Sequence, residues 1–460
     1  MSEISQTPVE EVEKNPSIED LFSQLTELEP KPIANFVPVN TAEQKRQFLS
    51  GEIVNPDHHY EKLNAIDFEV KRQKIIEIGE QLFTHQDTQE KYLGVYQQFI
   101  QNYLNKTNFM ELATKVKSAE SDEERDTAKS EYMNLNIELF GEPDEGTYRS
   151  LIGEKIVKIQ DKELSDSGKK IRDELFELVD LTTTEKTERF KPAQETIDWL
   201  HDIVDSEDSL YGAMLEHVPE QEVFSDIEIK AVFDAIINNE FNLELGSEPE
   251  VNAKLWKVVI EDAQSINVKA AEKKIVIPSG RELNHEQMRG LVVHEIGVHY
   301  LRSVMGEQTD LAPLEWGLSD YYDTEEGLGS VMEQALLGKY REAGADYYIS
   351  AGLAQHDGKD FRSIFETKWR IGVLTSNSDP TEEDITKAKD TAYKSTMRIM
   401  RGTDELPWFK DLSYYNGAAE VWKHLESIRG DDTEFMLVLL GKANAGNKDH
   451  RRILLETATV

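Results

Sequence analysis

The segment 291–302 constrains this chain more than any other, because it places two histidines and a glutamate inside an apolar run. His294, Glu295 and His299 form the pattern H-E-x-x-x-H. Neutral imidazole nitrogens bind Zn²⁺, and an adjacent glutamate can accept the proton of a water molecule at the metal. The pattern therefore predicts a hydrolytic zinc site.

The spacing of these histidines differs from that of the better-known zinc helix. H-E-x-x-H puts its histidines four residues apart on one face, whereas His294 and His299 are five residues apart. On a regular helix that spacing rotates the second ring by about 140° from the first. A wide turn with i→i+5 hydrogen bonds would return both rings to one side, and Gly297 lacks the Cβ that hinders such a turn. We therefore predict a distorted helix at this point. The alternative is two buried histidines that bond to backbone carbonyls and bind no metal.

A third ligand is expected from the acidic segment 323–329, which opens an apolar-periodic stretch. Thr324 is predicted to cap this helix, which would put Glu326 in its first turn. A catalytic zinc ion takes three protein ligands, and two histidines with one glutamate are an established set. Glu325 is the alternative ligand. Both acids could also serve only to complement the positive end of the helix.

These two motifs resemble those of the family that contains the microtubule-associated tyrosine carboxypeptidase and the bacterial QEGLA-motif proteins. The family has HEIG-x-H followed by EGLA, and this chain differs in having Gly329 at the alanine position. The resemblance covers roughly residues 45 to 425, and its weaker patches are Asn55-Pro56 with Tyr60, residues 139–143, Arg401-Gly402, and residues 410–412 with Tyr414 and Gly417. It implies a zinc metallopeptidase that removes a C-terminal aromatic residue. It also implies that His294, His299 and Glu326 bind the metal and that Glu295 is the catalytic acid/base.

An exopeptidase of this kind also needs a cation for the terminal carboxylate of its substrate. Arg398, Arg401 and Lys410 are the candidates, because they lie in the C-terminal part of the resemblance. The alternative is that Arg401 and Lys410 pair with local acids such as Asp404 and Asp411.

Other side chains could complete the site. The candidates for stabilising the oxyanion are Tyr300, Arg302 and Tyr414. An aromatic pocket could use Trp316, Trp408 or Phe409, although such residues more often pack in a core. Asp346 could orient a ligand histidine. The pair His58-His59 beside Tyr60 is a weak second candidate for metal binding.

Composition limits the partners. The chain has no cysteine and a net charge of −38, so thiolate metal sites are excluded, and nucleic acids and anionic membranes would be repelled. The same charge makes acidic tubulin tails an unlikely substrate. Neither a secretory signal nor an apolar run long enough to span a membrane is visible, so we expect a cytoplasmic protein.

The predicted fold is α+β and mainly α-helical, with a small antiparallel sheet beside the metal-binding helix. The sheet is expected from the alternating apolar residues between 256 and 277, and the helix should start at Asn284 with Gln287 as its capping-box partner. We divide the chain into a disordered acidic tail (1–40), a helical domain (41–215), a zinc metallopeptidase domain (216–445) and a polar end (446–460). Residues 18–28 of the tail could form a short helix on a partner.

The motifs and the family resemblance together predict a zinc carboxypeptidase that acts on a peptide or protein C-terminus. A zinc endopeptidase or aminopeptidase with the same site is the alternative within enzymes. A non-catalytic helical binding protein is the alternative outside them. The intact Glu295 favours an enzyme, because a binding protein has no use for a base beside the metal.

Overall fold

The computed structural model describes residues 16–179, 187–241, 256–263 and 265–457. Helices contain most of these residues, which confirms the mainly helical α+β class. The helices before residue 217 are Ile18–Glu27, Pro32–Asn35, Thr41–Ser50, Glu61–Asn64, Phe68–Thr84, Leu93–Ser118, Asp122–Phe140, Glu145–Gln160, Asp166–Leu178, Gln194–Asp205 and Leu210–Glu216. A 3-10 turn, Glu90–Tyr92, precedes Leu93–Ser118.

The second half of the chain carries the metal motifs. Its helices are Asp226–Asn239, His285–Leu291, Val292–Tyr300, Leu301–Glu307, Pro313–Trp316, Tyr321–Leu336, Ala345–Gln355, Phe361–Ser376, Glu382–Met400, Ser413–Ser427, Asp432–Leu439 and Lys448–Thr457, with 3-10 turns at Ala270–Glu272 and Phe409–Leu412. We call the continuous run His285–Glu307 the histidine helix and Tyr321–Leu336 the glutamate helix.

Five short strands form two sheets in the described residues. These are β1 (Val223–Phe224), β2 (Lys257–Glu261), β3 (Asn267–Lys269), β4 (Lys274–Pro278) and β5 (Leu283–Asn284). β1 and β5 pair antiparallel, and β5 runs directly into the histidine helix. The larger sheet has the order β2-β4-β3. It is mixed rather than wholly antiparallel, because β2 and β4 run parallel while β3 and β4 run antiparallel.

Part of the segment 1–40, which was expected to be a disordered tail, is helical. Residues 1–15 lie outside the described residues, but Ile18–Glu27 is a helix with a capping box at Ser17. Leu21, Phe22 and Leu25 are fully buried, and the ring of Phe22 lies 5.3 Å from that of Trp316. The apolar face of this helix is therefore covered by the chain's own core and not by a partner.

The hydrophobic cores contain residues from both sides of the predicted domain boundary at residue 215. The cluster around the histidine helix includes Leu200 and Tyr211 from before the boundary. A second cluster joins Tyr148 to Trp369 and Phe409. The polar end also contributes to a core, since Ile453 and Leu454 of Lys448–Thr457 are buried. The N-terminal helices are thus packed into the same cores as the residues that carry the metal motifs.

None of the described helices is both long and apolar enough to cross a membrane.

Candidate active site

The histidine helix has the predicted start and the predicted distortion. Asn284 accepts a hydrogen bond from the backbone N–H of Gln287, whose side chain accepts from the N–H of Asn284, so the capping box is confirmed. Residues Val292–Tyr300 form a π-helix between two α-helical turns. Tyr211 fixes this part of the helix by donating a hydrogen bond to the carbonyl of Gly297 at 2.9 Å. A Cβ on Gly297 would lie 2.5 Å from the Tyr211 ring, so the close approach requires glycine.

The two histidine rings converge. Nε2 of His294 lies 3.1 Å from Nε2 of His299. Each Nδ1 atom is hydrogen-bonded to a carboxylate. Nδ1 of His294 lies 2.7 Å from Glu333, and Nδ1 of His299 lies 2.8 Å from Glu325. An ionised carboxylate only accepts hydrogen bonds, so the hydrogen of each neutral ring sits on Nδ1 and the two Nε2 lone pairs face each other. Two lone pairs at this distance repel unless a proton or a cation lies beside them. The alternative with backbone carbonyl acceptors is therefore wrong.

Glu326 of the glutamate helix supplies a third oxygen beside these nitrogens. Ligand atoms of His294, His299 and Glu326 all lie within 4.8 Å of one another. Glu325 is engaged elsewhere, because its carboxylate accepts from His299 and pairs with Arg302. The geometry thus favours Glu326 over Glu325 as the third ligand.

The glutamate helix begins earlier than predicted. It starts at Tyr321, after Asp320 in a left-handed conformation, so Glu326 lies in its second turn. Thr324 does not cap the helix but accepts a hydrogen bond from the backbone N–H of Ala445 at 3.0 Å. Glu325 and Glu326 therefore gain less from the positive N-terminal end of the helix dipole, because this effect falls off within the first turn.

The electrostatic environment favours positive charge at His294. Burial opposes protonation of His294, but the hydrogen bond to Glu333 and the charges of Glu295 and Glu326 outweigh it and raise its pKa to about 9. Burial also opposes ionisation of Glu326, yet Lys410 and His299 leave its pKa below the usual value. The same carboxylates that stabilise a protonated imidazole would stabilise a bound cation.

Glu295 lies close enough to this cluster for its charge to help raise the pKa of His294, after the larger effects of burial and of the hydrogen bond to Glu333. Its side chain is buried on the histidine helix, and its Oε2 atom has no hydrogen-bond partner among the described residues. A buried, unpartnered carboxylate oxygen is costly unless another molecule completes it. This oxygen therefore has an unused acceptor position in the described structure.

Glycines let the glutamate helix approach its neighbours. A Cβ on Gly329 would lie 2.6 Å from Nε2 of His294. A Cβ on Gly327 would lie 2.3 Å from the carbonyl carbon and oxygen of Gly417 on Ser413–Ser427. The glycine that replaces the family's alanine therefore lies directly against a predicted metal ligand.

The three candidate cations surround one acid. Arg398 forms a bidentate pair with Asp411 at 2.6 and 3.0 Å, and Lys410 lies 3.3 Å from the same carboxylate. Burial alone would raise the pKa of Asp411, but Lys410 and Arg398 lower it to about 2. Lys410 thus has the local partner that the alternative predicted.

Arg401 does not have its predicted partner. Asp404 accepts from other residues, and Nε of Arg401 has no hydrogen-bond partner among the described residues. The side chain is buried with its guanidinium 4.8 Å from the ring centroid of Trp408. Burial lowers its pKa, the charge of Asp411 opposes this, and Arg398 adds to the lowering. The cluster therefore has more positive than negative charge and can accept a further anion.

Tyrosines connect this cation cluster to the metal site. The ammonium group of Lys410 lies 4.7 Å from the ring of Tyr322 and 5.3 Å from that of Tyr414. Tyr322 lies beside Glu326 and, after the larger effects of burial, Lys410 and His299, helps to lower the pKa of that acid. Arg398 donates a hydrogen bond to the hydroxyl of Tyr414 at 3.2 Å. Residues 398–414 therefore reach the candidate metal site from the side of the glutamate helix.

Two oxyanion candidates are placed elsewhere. Tyr300 packs between Phe241 and Trp256, at ring distances of 4.8 and 4.9 Å. Arg302 is fully buried and donates to Glu325 and to the carbonyls of Val438, Gly441 and Ala443. These contacts hold Glu325 in place, so Arg302 supports the site without facing a substrate. Tyr414 is the candidate that remains near Glu326.

The other helper residues have structural roles. Trp316, Trp408 and Phe409 lie in hydrophobic clusters, so the core interpretation is correct for all three. Asp346 pairs with Lys368 at 2.6 Å and does not orient a histidine. His58 is buried and bonds Asp404 and Tyr393, which leaves neither ring nitrogen for a metal.

Sequence reasoning missed Glu333, which holds His294. The signal was available, because Glu333 follows Glu326 by seven residues, and that spacing puts both side chains on one face of a helix.

A family described as microtubule-associated tyrosine carboxypeptidase matches residues 235–457. The matched residues contain the histidine helix, the glutamate helix and the cation cluster, and they exclude the N-terminal patches of the resemblance. No curated protein and no solved structure matches the chain.

Proposed function

From the match of residues 235–457 to the family described as microtubule-associated tyrosine carboxypeptidase, we infer that this chain is a zinc-dependent carboxypeptidase. It removes one aromatic residue, tyrosine or phenylalanine, from the C-terminus of a peptide or protein. His294, His299 and Glu326 hold the metal, and Glu295 is the catalytic base and acid.

A single observation carries the metal assignment. The Nε2 atoms of His294 and His299 face each other at 3.1 Å while both Nδ1 atoms are held by carboxylates. Two nitrogens and one carboxylate oxygen form the donor set that suits a catalytic zinc ion. The outer carboxylates Glu333 and Glu325 orient the rings in the way that second partners of metal-bound histidines usually do. The residues therefore fit a zinc ion.

When bound, Zn²⁺ would polarise the scissile carbonyl and increase the acidity of a water molecule. Glu295 accepts a proton from the attacking water on its free Oε2 atom. The water oxygen forms a bond to the peptide carbon, and the C–N bond then breaks. Glu295 returns the proton to the departing amine, so one carboxylate acts first as base and then as acid.

The cation cluster provides the specificity for a C-terminus. Arg401 offers an Nε–H without a partner, and Lys410 lies between Asp411 and the rings of Tyr322 and Tyr414. A carboxylate bound there gains charge-assisted hydrogen bonds that a peptide amide cannot make. The rings of Tyr347 and Tyr414, 5.8 Å apart, offer aromatic contacts to the last side chain of the substrate.

The identity of the protein substrate is a separate matter. The net charge of −38 disfavours acidic polypeptides at long range. That tubulin tails are poor substrates therefore stays a prediction, and the family's description does not decide it for this chain.

A peptide assay tests the proposed function. Peptides that end in Tyr or Phe, as free acids and as C-terminal amides, are incubated with the zinc-loaded protein and followed by mass spectrometry. We expect loss of one residue from the free acids only. Glu295→Gln should lower kcat by at least about a hundredfold, whereas Glu286→Gln, an exposed change on the same helix, should not. Internal cleavage would indicate the endopeptidase alternative. Release of N-terminal residues would indicate the aminopeptidase alternative.

A further inference from the structure

The loop that carries two of the three cations is built around one buried acid. We call residues 401–410 the cation loop, because Arg401 and Lys410 stand at its two ends. Asp404 adopts a left-handed conformation with φ of +63°, which is uncommon for a residue other than glycine. Its side chain is nevertheless only 6% exposed and ionised, so its contacts must hold the loop in this shape.

Four donors converge on the Asp404 carboxylate. His58 contributes its backbone N–H at 2.7 Å and Nδ1 at 2.9 Å. The hydroxyl of Tyr60 and the ammonium group of Lys117 donate at 2.6 Å each. Burial opposes the charge, but His58 and Lys117 keep the pKa of Asp404 below its usual value. All these donors belong to the N-terminal helical segment.

A second contact from the same segment holds the other end of the loop. The side chain of Asn136, fully buried, donates to the carbonyl of Pro407 at 2.9 Å and accepts from the N–H of Phe409 at 3.0 Å. Phe409 directly precedes Lys410. The amide of Asn136 thereby fixes the backbone from which Lys410 projects toward Tyr322 and Glu326.

Aromatic packing closes the loop from the same direction. The ring of Trp408 lies 5.1 Å from that of Phe36 and 6.2 Å from that of Phe109, and the guanidinium of Arg401 lies 4.8 Å from the same ring. Gly402, with φ of +98°, approaches the ring of Phe36 so closely that a Cβ would lie 3.0 Å from it. Trp408 thus positions Arg401, and Trp408 is itself held by aromatic residues of the N-terminal segment.

We propose that Tyr60 and Asn136 are positioning residues for recognition of the substrate's terminal carboxylate, acting through Asp404 and the cation loop on Arg401 and Lys410. This inference rests on the proposed function for the identity of the ligand. It extends the active unit beyond residues 235–457, because neither residue lies in that segment. A displacement of about 1 Å at such a site can cost up to about a hundredfold in affinity or rate.

Binding measurements test this with the full chain. In a zinc-loaded Glu295→Gln background, which blocks turnover, calorimetry gives Kd for a Tyr-terminated peptide as free acid and as amide. The ratio of the two Kd values reports the carboxylate contact alone. Tyr60→Phe removes one hydrogen bond to Asp404 and should reduce this ratio several-fold, and Asp404→Asn should reduce it about 10- to 100-fold. Zinc content should stay at the background value in both.

Tyr132→Phe is the matched control, because Tyr132 is buried in the same aromatic cluster and its hydroxyl has no hydrogen-bond partner among the described residues. It should leave the ratio unchanged. Arg401→Ala should bring the ratio of the two Kd values close to one. Adding Asp404→Asn to Arg401→Ala should change this ratio little further. Equal effects of Tyr60→Phe and Tyr132→Phe, or a ratio near one in the background protein, would overturn the proposal. Discrimination between acid and amide without any peptide hydrolysis by the wild type would instead contradict the proposed function and leave this inference standing.

Discussion

Glu325 accepts a hydrogen bond from Nδ1 of His299 at 2.8 Å, and this contact separates the roles of two adjacent glutamates. Glu325 also pairs with the buried Arg302 and lies 3.9 Å from Lys442. Those two cations outweigh its burial and lower its pKa to about 2. Its neighbour Glu326 turns toward the two Nε2 atoms instead. One glutamate therefore supports the fold around the site, and the other faces the proposed metal position.

The first prediction compares Glu325→Gln with Glu326→Gln. Glu325→Gln leaves the charge of Arg302 uncompensated in the core, so we expect a loss of about 3 kcal/mol in the free energy of unfolding. Glu326→Gln should lose zinc while the metal-free protein keeps its stability. Denaturation of the metal-free variants and metal analysis of the loaded ones measure the two effects. A stable Glu325→Gln protein without zinc, beside a Glu326→Gln protein with zinc, would reverse the assignment.

The second prediction concerns Glu333, which orients His294 at 2.7 Å. Glu333→Gln should weaken zinc binding by about 10- to 100-fold, as is usual when the outer partner of a metal-bound histidine is lost. Competition with a chromogenic chelator measures the affinity. Arg341 contacts the other oxygen of Glu333 and is 57% exposed, so Arg341→Gln is the control and should change the affinity little. Equal affinities of wild type and Glu333→Gln would refute this role.

The third prediction concerns Gly329. An alanine there would bring its Cβ to 2.6 Å from Nε2 of His294, so the ring or the glutamate helix must shift. We expect Gly329→Ala to weaken zinc binding by about tenfold. Gly290→Ala on the histidine helix is the control, because the nearest atom to its Cβ would be 3.8 Å away. An unchanged affinity in Gly329→Ala would mean that the site adapts to the alanine of the family pattern.

The fourth prediction is a pH dependence. Lys410 and Arg398 outweigh burial and lower the pKa of Asp411 from its ordinary value of 3.8 to about 2 in the folded protein. Because its pKa is lower in the folded protein, the ionised Asp411 stabilises the fold above pH 4, and this stabilisation is lost as the pH falls through 2. The pKa shift corresponds to about 2 kcal/mol of unfolding free energy. The unfolding free energies of wild type and Asp411→Asn should therefore converge between pH 4 and pH 2. A constant difference over that range would contradict the assignment.

Local patterns predicted the histidine helix well. The five-residue spacing of His294 and His299 requires a wide turn if the rings share an ion, and the capping box at Asn284 has its own short-range signature. The predicted start of the glutamate helix was wrong, because the residue that precedes this helix, Asp320, has a left-handed conformation and makes no side-chain cap. Thr324, which looks like a cap in the sequence, is used by a distant backbone N–H.

Long-range contacts account for most of what was missed. Asp404 was considered only as a partner for Arg401, but its donor His58 is 346 residues away in the chain. Nothing in the spacing of either segment indicates that pairing. The N-terminal helices likewise read as a separate domain, because shared cores are a property of tertiary packing and not of a local pattern.

Zinc stoichiometry tests the central claim most directly. The full chain is loaded with zinc, dialysed against metal-free buffer and analysed by atomic emission, in parallel with His299→Ala. The account predicts close to one zinc per wild-type chain and close to none in His299→Ala, with both proteins folded by circular dichroism. A wild-type protein without zinc, or a His299→Ala protein that retains one equivalent, would contradict the assignment of His294, His299 and Glu326 as the metal site.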